Sequence, residues 1–361
     1  MRYQRNQYDQ TACDGMREAR GGGCPSTCRS LGLAGDACPV VLSRSLGISI
    51  VPLVGFGYNP SMVIAPAPLQ RAGIAYIATD RFEQNNKRVL CRNRNLHRYI
   101  RNNASTARLL LLDHKMEVLQ RDRIRGNRCM VHRFSAVDAR LLVAGSKLYA
   151  SYANMWGDSE CRGHFLARLR VRPNASHHLG EFLSPRRLRS IRNGGVLVQQ
   201  DEVALELADV APMTEVADVF TGALTRVAVP RRFSVFMHNS MHPIWIPELS
   251  AFLGAGHRHL RQGYHDNGSA VRNAPFQYGS SYRHIFFTLN ATTRSIVRFS
   301  REFCIAALDG TDGCDGIAFI MGAFRNHDSV SFPYGINDCE SALLTLSVSR
   351  LDALLEFGPS R

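Results

Sequence analysis

What most restricts the fold of this chain is the punctuation of its apolar segments. Short runs at 72–79, 109–112, 141–143, 147–152, 165–171, 195–198, 232–237, 251–255, 284–289, 316–322 and 329–334 are rich in β-branched and aromatic residues and are bounded by turn formers. No long amphipathic helical pattern falls between them, so the fold class is all-β. One short helix is expected at the C-terminal end. Ser349 is its N-cap, Asp352 sits at the third helical position, and Leu351, Leu354 and Leu355 form its stripe before Gly358-Pro359 stops it. Residues 1–45 read as a disordered tail with few apolar residues, a Gly21-Gly22-Gly23 run and Cys13, Cys24, Cys28 and Cys38. Residues 46–361 then form one domain.

The strand segments recur in kind. A polar cluster precedes each of several strands: Asn59-Pro60-Ser61, Asp138 to Arg140, Arg192-Asn193-Gly194 and His238-Asn239-Ser240. Polar groups at the starts of successive sheets converge when the sheets are arranged radially about an axis. The stretch of about 290 residues from Asn59 to Val348 accommodates five blades, so a five-bladed β-propeller is expected. A pair of β-sandwiches is the alternative that periodicity leaves open.

One hairpin carries the leading candidate for chemistry. Phe134-Ser135-Ala136-Val137-Asp138-Ala139-Arg140 runs into a Gly145-Ser146 turn and an alternating Leu148/Tyr149/Ser151/Tyr152 strand. On a regular strand Asp138 and Arg140, two residues apart, share a face. A carboxylate beside an arginine can hydrogen-bond a sugar hydroxyl or relay a proton, or it can simply fix a sheet turn.

Charge and cysteine content bear on partners and compartment. The formal charge is +14, but lysine occurs only at Lys87, Lys115 and Lys147, and the arginines are dispersed. Their densest group, Arg186, Arg187, Arg189 and Arg192, lacks interleaved aromatics for base stacking, so no nucleic-acid partner is expected. Nor is a transmembrane segment: the best apolar run, 46–56, is short and contains Pro52. Ten cysteines and Asn-x-Ser/Thr sequons at Asn103, Asn174, Asn267 and Asn290 favour a secretory lumen or the exterior, although no signal peptide is visible. Cys304 and Cys314 flank an Asp/Gly-rich turn that a small disulfide loop would close.

In the order of its motifs the chain resembles glycoside hydrolase family 130, the five-bladed propellers that comprise β-mannoside phosphorylases and hydrolases. Val137-Asp138-Ala139-Arg140-Leu141 with the following hairpin resembles the family's Glu-Asp-Pro-Arg stretch. Before it, Asn59-Pro60-Ser61 with Tyr76 and Arg81 resembles the family's Asn-Pro opening and the arginine that ends the next strand; after it, Leu253-Gly254-Ala255-Gly256-His257, Tyr282-Arg283-His284 and Tyr334-Gly335-Ile336-Asn337-Asp338 resemble its Gly-His, Tyr-x-His and Tyr-Gly-x-x-Asp stretches. Ala139 stands where the family has Pro, and Val137 where it has Glu, which marks a divergent member.

The resemblance implies that Asp138 is the general acid and that the substrate is an oligosaccharide or other glycan. It implies substrate contacts from Asn59, Arg81, Arg140, Tyr282, Tyr334, Asp338 and Glu340, and phosphate contacts from Arg81, Arg140, His257 and His284; His238 and Asn239, in a polar cluster outside the family's motifs, are further candidate substrate contacts. No cofactor or metal is implied, with inorganic phosphate as co-substrate. A hydrolase would need a second carboxylate, for which Asp338 and Glu340 are the candidates. The histidines at 257, 259 and 284 also read as hydrogen-bonded core residues, and Asp338 as a loop cap. Two rivals remain: a glycosyltransferase using the same funnel in the synthetic direction, and a non-catalytic glycan-binding propeller. The absence of an Asp-x-Asp motif argues against a metal-dependent nucleotide-sugar enzyme.

Overall fold

A computed structural model describes residues 40–83, 105–126, 136–154, 159–175, 178–189, 193–207, 210–211, 215–227, 237–261, 280–306, 308, 318–336 and 340–355. The protein is all-β and forms a five-bladed propeller. Blade I comprises Tyr58–Ile64, Tyr76–Glu83, Ser105–Leu112 and Val118–Arg125; blade II comprises Val137–Ala144, Lys147–Asn154, Gly163–Val171 and Gly180–Arg187. Blade III is Gly195–Gln199, Glu202–Leu207, Glu215–Asp218 and Leu224–Arg226. Blade IV has a broken inner strand, Met237–Asn239 and Ile244–Ile246, followed by Ala251–Arg261, Ser280–Asn290 and Ile296–Phe299. Blade V likewise begins with Ala318–Ile320 and Phe324–Asn326, then Ser329–Ile336 and Glu340–Ser347. Its outer strand, Ser49–Pro52, comes from the start of the domain and pairs with Glu340–Ser347, so the last blade is completed by the first strand of the ring.

Burial explains why the strands read as they do. Strands in the middle of a blade are covered on both faces, so Leu109-Leu110-Leu111-Leu112 on the third strand of blade I is apolar without alternation and wholly buried. The outer strand Val118–Arg125 faces solvent on one side and alternates, with Arg121, Arg123 and Arg125 exposed. Two large cores lie between neighbouring blades. Phe286, Phe303, Phe332 and Leu344 anchor the one between blades IV and V; Leu109, Leu141, Tyr152 and Phe182 anchor the one between I and II.

Hydrogen bonds stitch every blade to the next. Leu141 N–H donates to Ser61 Oγ (2.9 Å), and Thr79 Oγ1 donates to the Ala139 carbonyl (2.7 Å), joining I to II. Arg140 Nη2 to Asn193 Oδ1 (2.8 Å) joins II to III, and Val196 N–H to His242 Nδ1 (2.9 Å) joins III to IV. His284 Nε2 to the Ala318 carbonyl (2.6 Å) joins IV to V, and Ser341 Oγ to the Gly57 carbonyl (2.7 Å) closes V onto I. The polar groups at these joints therefore bond across blades as well as within them.

Several sequence expectations are corrected in detail. The segment expected at 72–79 becomes a strand only at Tyr76, because Ala67–Gln70 is a turn of helix closed by Gly73 at φ +80°. Within the expected tail, Val40–Leu42 is a strand parallel to Phe303–Ile305, followed by a 3-10 turn at Arg44–Leu46; residues 1–39 lie outside the described residues. The C-terminal helix spans Val348–Leu354, but its N-cap is Ser347, whose hydroxyl accepts from Arg350 N–H, and Ser349 lies inside the first turn. Arg298 holds its other end through the Asp352 and Leu355 carbonyls. Of the strand expected at 232–237, only Met237 is described. No helix among the described residues is long and apolar enough to cross a membrane.

Candidate active site

The inner strands of blades I and II open with the same irregularity. From Tyr58 to Ser61 is three steps, while the partner strand advances two, from Arg81 to Thr79; Val137 to Arg140 against Ala153 to Ser151 repeats this. Each strand therefore carries one extra residue, and the second residue of each bulge is left-handed, Asn59 at φ +51° and Asp138 at φ +54°. Asn and Asp are the non-glycine side chains that tolerate this conformation best. The bulges bring the two together: Asn59 Nδ2 donates to Asp138 Oδ1 at 3.2 Å, with both side chains buried. The same-face expectation for Asp138 and Arg140 assumed regular alternation, which the extra residue interrupts.

Arg140 reaches across to blade III. Its Nη2 bonds Asn193 Oδ1, its Nη1 lies 3.5 Å from the Gly194 carbonyl, and it is 1% exposed. Asn193 opens the next inner strand and is also left-handed, at φ +61°. The Arg140 guanidinium lies 5.7 Å from the Phe319 ring centre on blade V. On blade IV, His257 meets the same ring edge-on at 4.8 Å and stacks on Tyr282 at 5.6 Å, while its Nδ1 is 2.8 Å from Ser240 Oγ. Phe319 thus connects the Arg140 side of the channel to a cluster of His238, His257, Tyr282 and His284. All five blades contribute at one end of the axis, where their inner strands begin.

The remaining candidates separate into groups. Arg81 stands near this end with its guanidinium 5.2 Å over Tyr58. Asn239 is buried in the blade IV ladder opposite Gly256. Tyr334 is fully buried in the blade V core, and the adjacent Gly335 packs so closely on Asn59 that a Cβ there would lie 2.3 Å from Asn59 Oδ1. Glu340 is exposed at the first residue of its strand, opposite Ile336. Asp338, Cys314 and the His259 side chain lie outside the described residues. His284 does not suit the phosphate role: it is 0% exposed, donates to Ala318, stacks on Phe303, and burial lowers its pKa to about 4, so it is a neutral core histidine.

Two buried groups escaped the sequence reading. His242, fully buried, has its pKa lowered to about 3, first by burial and then by the Arg140 charge. Because Val196 N–H donates to Nδ1, the ring proton sits on Nε2, 3.0 Å from Ser151 Oγ and 3.3 Å from the Arg140 carbonyl. His242 thereby fixes the backbone beneath Arg140. Asp80 forms a two-point ion pair with Arg108 (2.9 and 2.5 Å) and accepts from Gly57 N–H, setting the backbone that leads into Asn59. Their partners lie 23 or more residues away in sequence, so no local spacing signals them.

The radial sheets define a five-bladed propeller with a polar opening at one end of its axis. No protein-family model matches the chain, and no curated protein matches it. Solved structures do. A β-1,2-mannobiose phosphorylase from Listeria innocua is 12% identical, with 86% of this chain and 93% of that chain covered and a TM-score of 0.52. A mannose phosphorylase from Leishmania mexicana, in complex with a phosphate ion, is 10% identical over 97% of this chain and 98% of its own, with a TM-score of 0.50. A glycosyl hydrolase from Bacteroides ovatus is 12% identical over 82% and 86%, also with a TM-score of 0.50. At these identities the likeness establishes the shared fold.

Proposed function

We propose that this protein acts on β-linked mannosides or related glycans by phosphorolysis, with Asp138 as the general acid. The observation that carries this reading is the carboxylate inventory: among the described residues of the five inner strands, Asp138 is the only acid. An inverting hydrolase places two carboxylates about the scissile bond, one to protonate the leaving group and one to activate water. Phosphate is already an anion and needs no base, so one carboxylate and nearby cations suffice. Asp138 delivers a proton to the glycosidic oxygen, directly or through a sugar hydroxyl. The bond to the leaving sugar breaks as a phosphate oxygen bonds the anomeric carbon from the opposite face. The products are a sugar 1-phosphate and a glycan shortened by one unit.

Arg140, held rigid by Asn193 and Phe319, and Arg81 over Tyr58 supply positive charge for the phosphate. His257, bonded to Ser240, supplies a further polar group beside them. The fold shared with the mannobiose and mannose phosphorylases supports the choice of sugar. Cys161 and Cys304, each in a disulfide, support an oxidising compartment.

The test is product analysis on β-manno-oligosaccharides with and without inorganic phosphate, beside Asp138→Asn. Phosphate-dependent release of a sugar 1-phosphate, absent from a folded variant, is expected. Release of free sugar without phosphate would make the protein a hydrolase with a second acid. Glycan binding without turnover would make it a binding propeller.

A further inference from the structure

The end of the channel opposite Asp138 holds a cavity. Inner strands begin at Asn59, Asp138 and Asn193 and run away from them, and their far ends surround a space of about 780 Å³ to which all five blades contribute. That volume lies within the range of small-molecule sites. Its walls are mainly apolar: Val198, Leu142, Phe324, Phe252 and Trp245, the last 43% exposed at the rim. His242, bonded to the Arg140 carbonyl, lines it on the side toward the candidate active site.

Into this apolar space the blade IV turn places an arginine. Arg294 is 8% exposed, its guanidinium lies 5.8 Å from the Phe252 ring centre, and its buried Nη1 has no hydrogen-bond partner. The other lining arginine, Arg325, pairs with Glu248 through Nη2, so its charge is met although its Nε is without a hydrogen-bond partner. A buried cation left without an anion is costly, and side chains in such positions ordinarily find a partner. A missing partner is therefore to be sought in a ligand. The guanidinium fork matches a carboxylate through two parallel bonds, and the apolar walls suit a hydrocarbon body.

We propose that this opposite mouth binds an organic monocarboxylate with an apolar body, its carboxylate on Arg294 and its body against Trp245, Phe252 and Phe324. The site is independent of the glycan chemistry at Asp138.

Calorimetric titration of the full chain with decanoate tests it. Saturable one-site binding is expected, with decan-1-ol at least tenfold weaker. Arg294→Met should weaken decanoate at least tenfold while raising the melting temperature of the unliganded protein, since it removes an uncompensated buried charge. Asp138→Asn should leave decanoate binding unchanged. Should Arg294→Met fail to fold, Ala323→Phe, which fills the cavity from blade V, should fold and abolish binding. Absence of saturable heat in the wild type, equal binding of the alcohol, undiminished binding in either variant, or displacement of decanoate by β-mannobiose would each overturn the proposal.

Discussion

Acidification should destabilise this fold through two internal histidines, and the size of the effect can be worked from their surroundings. His242 and His284 are completely buried, with pKa values lowered from 6.5 to about 3 and about 4. Protonating His242 would place a second N–H against the Val196 N–H that now donates to Nδ1. Both folded-state values lie below the unfolded one, so between pH 6.5 and about 4 the unfolded chain binds more protons. The stability they confer is complete above pH 6.5 and is lost as pH falls toward the folded values. From pH 7 to pH 5 each histidine should cost about 2 kcal/mol, and the pair about 4 kcal/mol. Urea unfolding of the wild type, His242→Gln, His284→Gln and the double variant at both pH values measures this. Each glutamine loses hydrogen bonds at every pH, so the informative quantity is the difference between pH values within one protein. Singles should keep about half of the wild-type loss that the pair explains, and the double variant almost none of it. Variants with the same pH dependence as the wild type would refute the placement of these rings as neutral and buried.

Two further substitutions probe the supports of the Asp138 end. Asp80→Asn strands the Arg108 charge in a buried pair and should cost about 3–5 kcal/mol, seen as a lowered thermal unfolding midpoint; an unchanged midpoint would show the pair to be hydrated. Gly335→Ala introduces a Cβ 2.7 Å from Asn59 N and closer still to its Oδ1, so Asn59 must move and release Asp138. The protein should stay folded by circular dichroism while turnover of β-manno-oligosaccharide falls at least tenfold; wild-type turnover would remove Asn59 from the mechanism.

How the site became legible is clearest on blades I and II. The clusters Asn59-Pro60-Ser61 and Asp138-Ala139-Arg140 stand out in sequence because they break apolar strands at the point where each begins. Their recurrence was sufficient to indicate radial sheets. That both carry a left-handed bulge was not legible, since the bulge depends on register against Arg81 and Ala153. Without it, Asp138 and Arg140 look like a same-face pair; with it, Asp138 turns to Asn59, while Arg140 reaches Asn193 and Phe319. Among the histidines, the sequence offered His257 and His284 as equals. Packing separated them, placing one beside Tyr282 and Phe319 in the channel cluster and sealing the other between Ala318 and Phe303.

The sequence by itself determined the all-β class, the hairpin turning at Gly145-Ser146, the terminal helix and the polar openings of the inner strands. All of these follow from local period, turn chemistry and composition, which act over a few residues. Tertiary structure alone decided which openings meet, that Ser49–Pro52 completes the last blade, that Asp80 and His242 brace the channel, and that Arg294 faces an apolar cavity at its other end. Those outcomes depend on contacts remote in sequence, most of them between blades and several more than 50 residues apart. Only closing the ring brings these groups together and fixes which of them face water, a neutral neighbour or a charge.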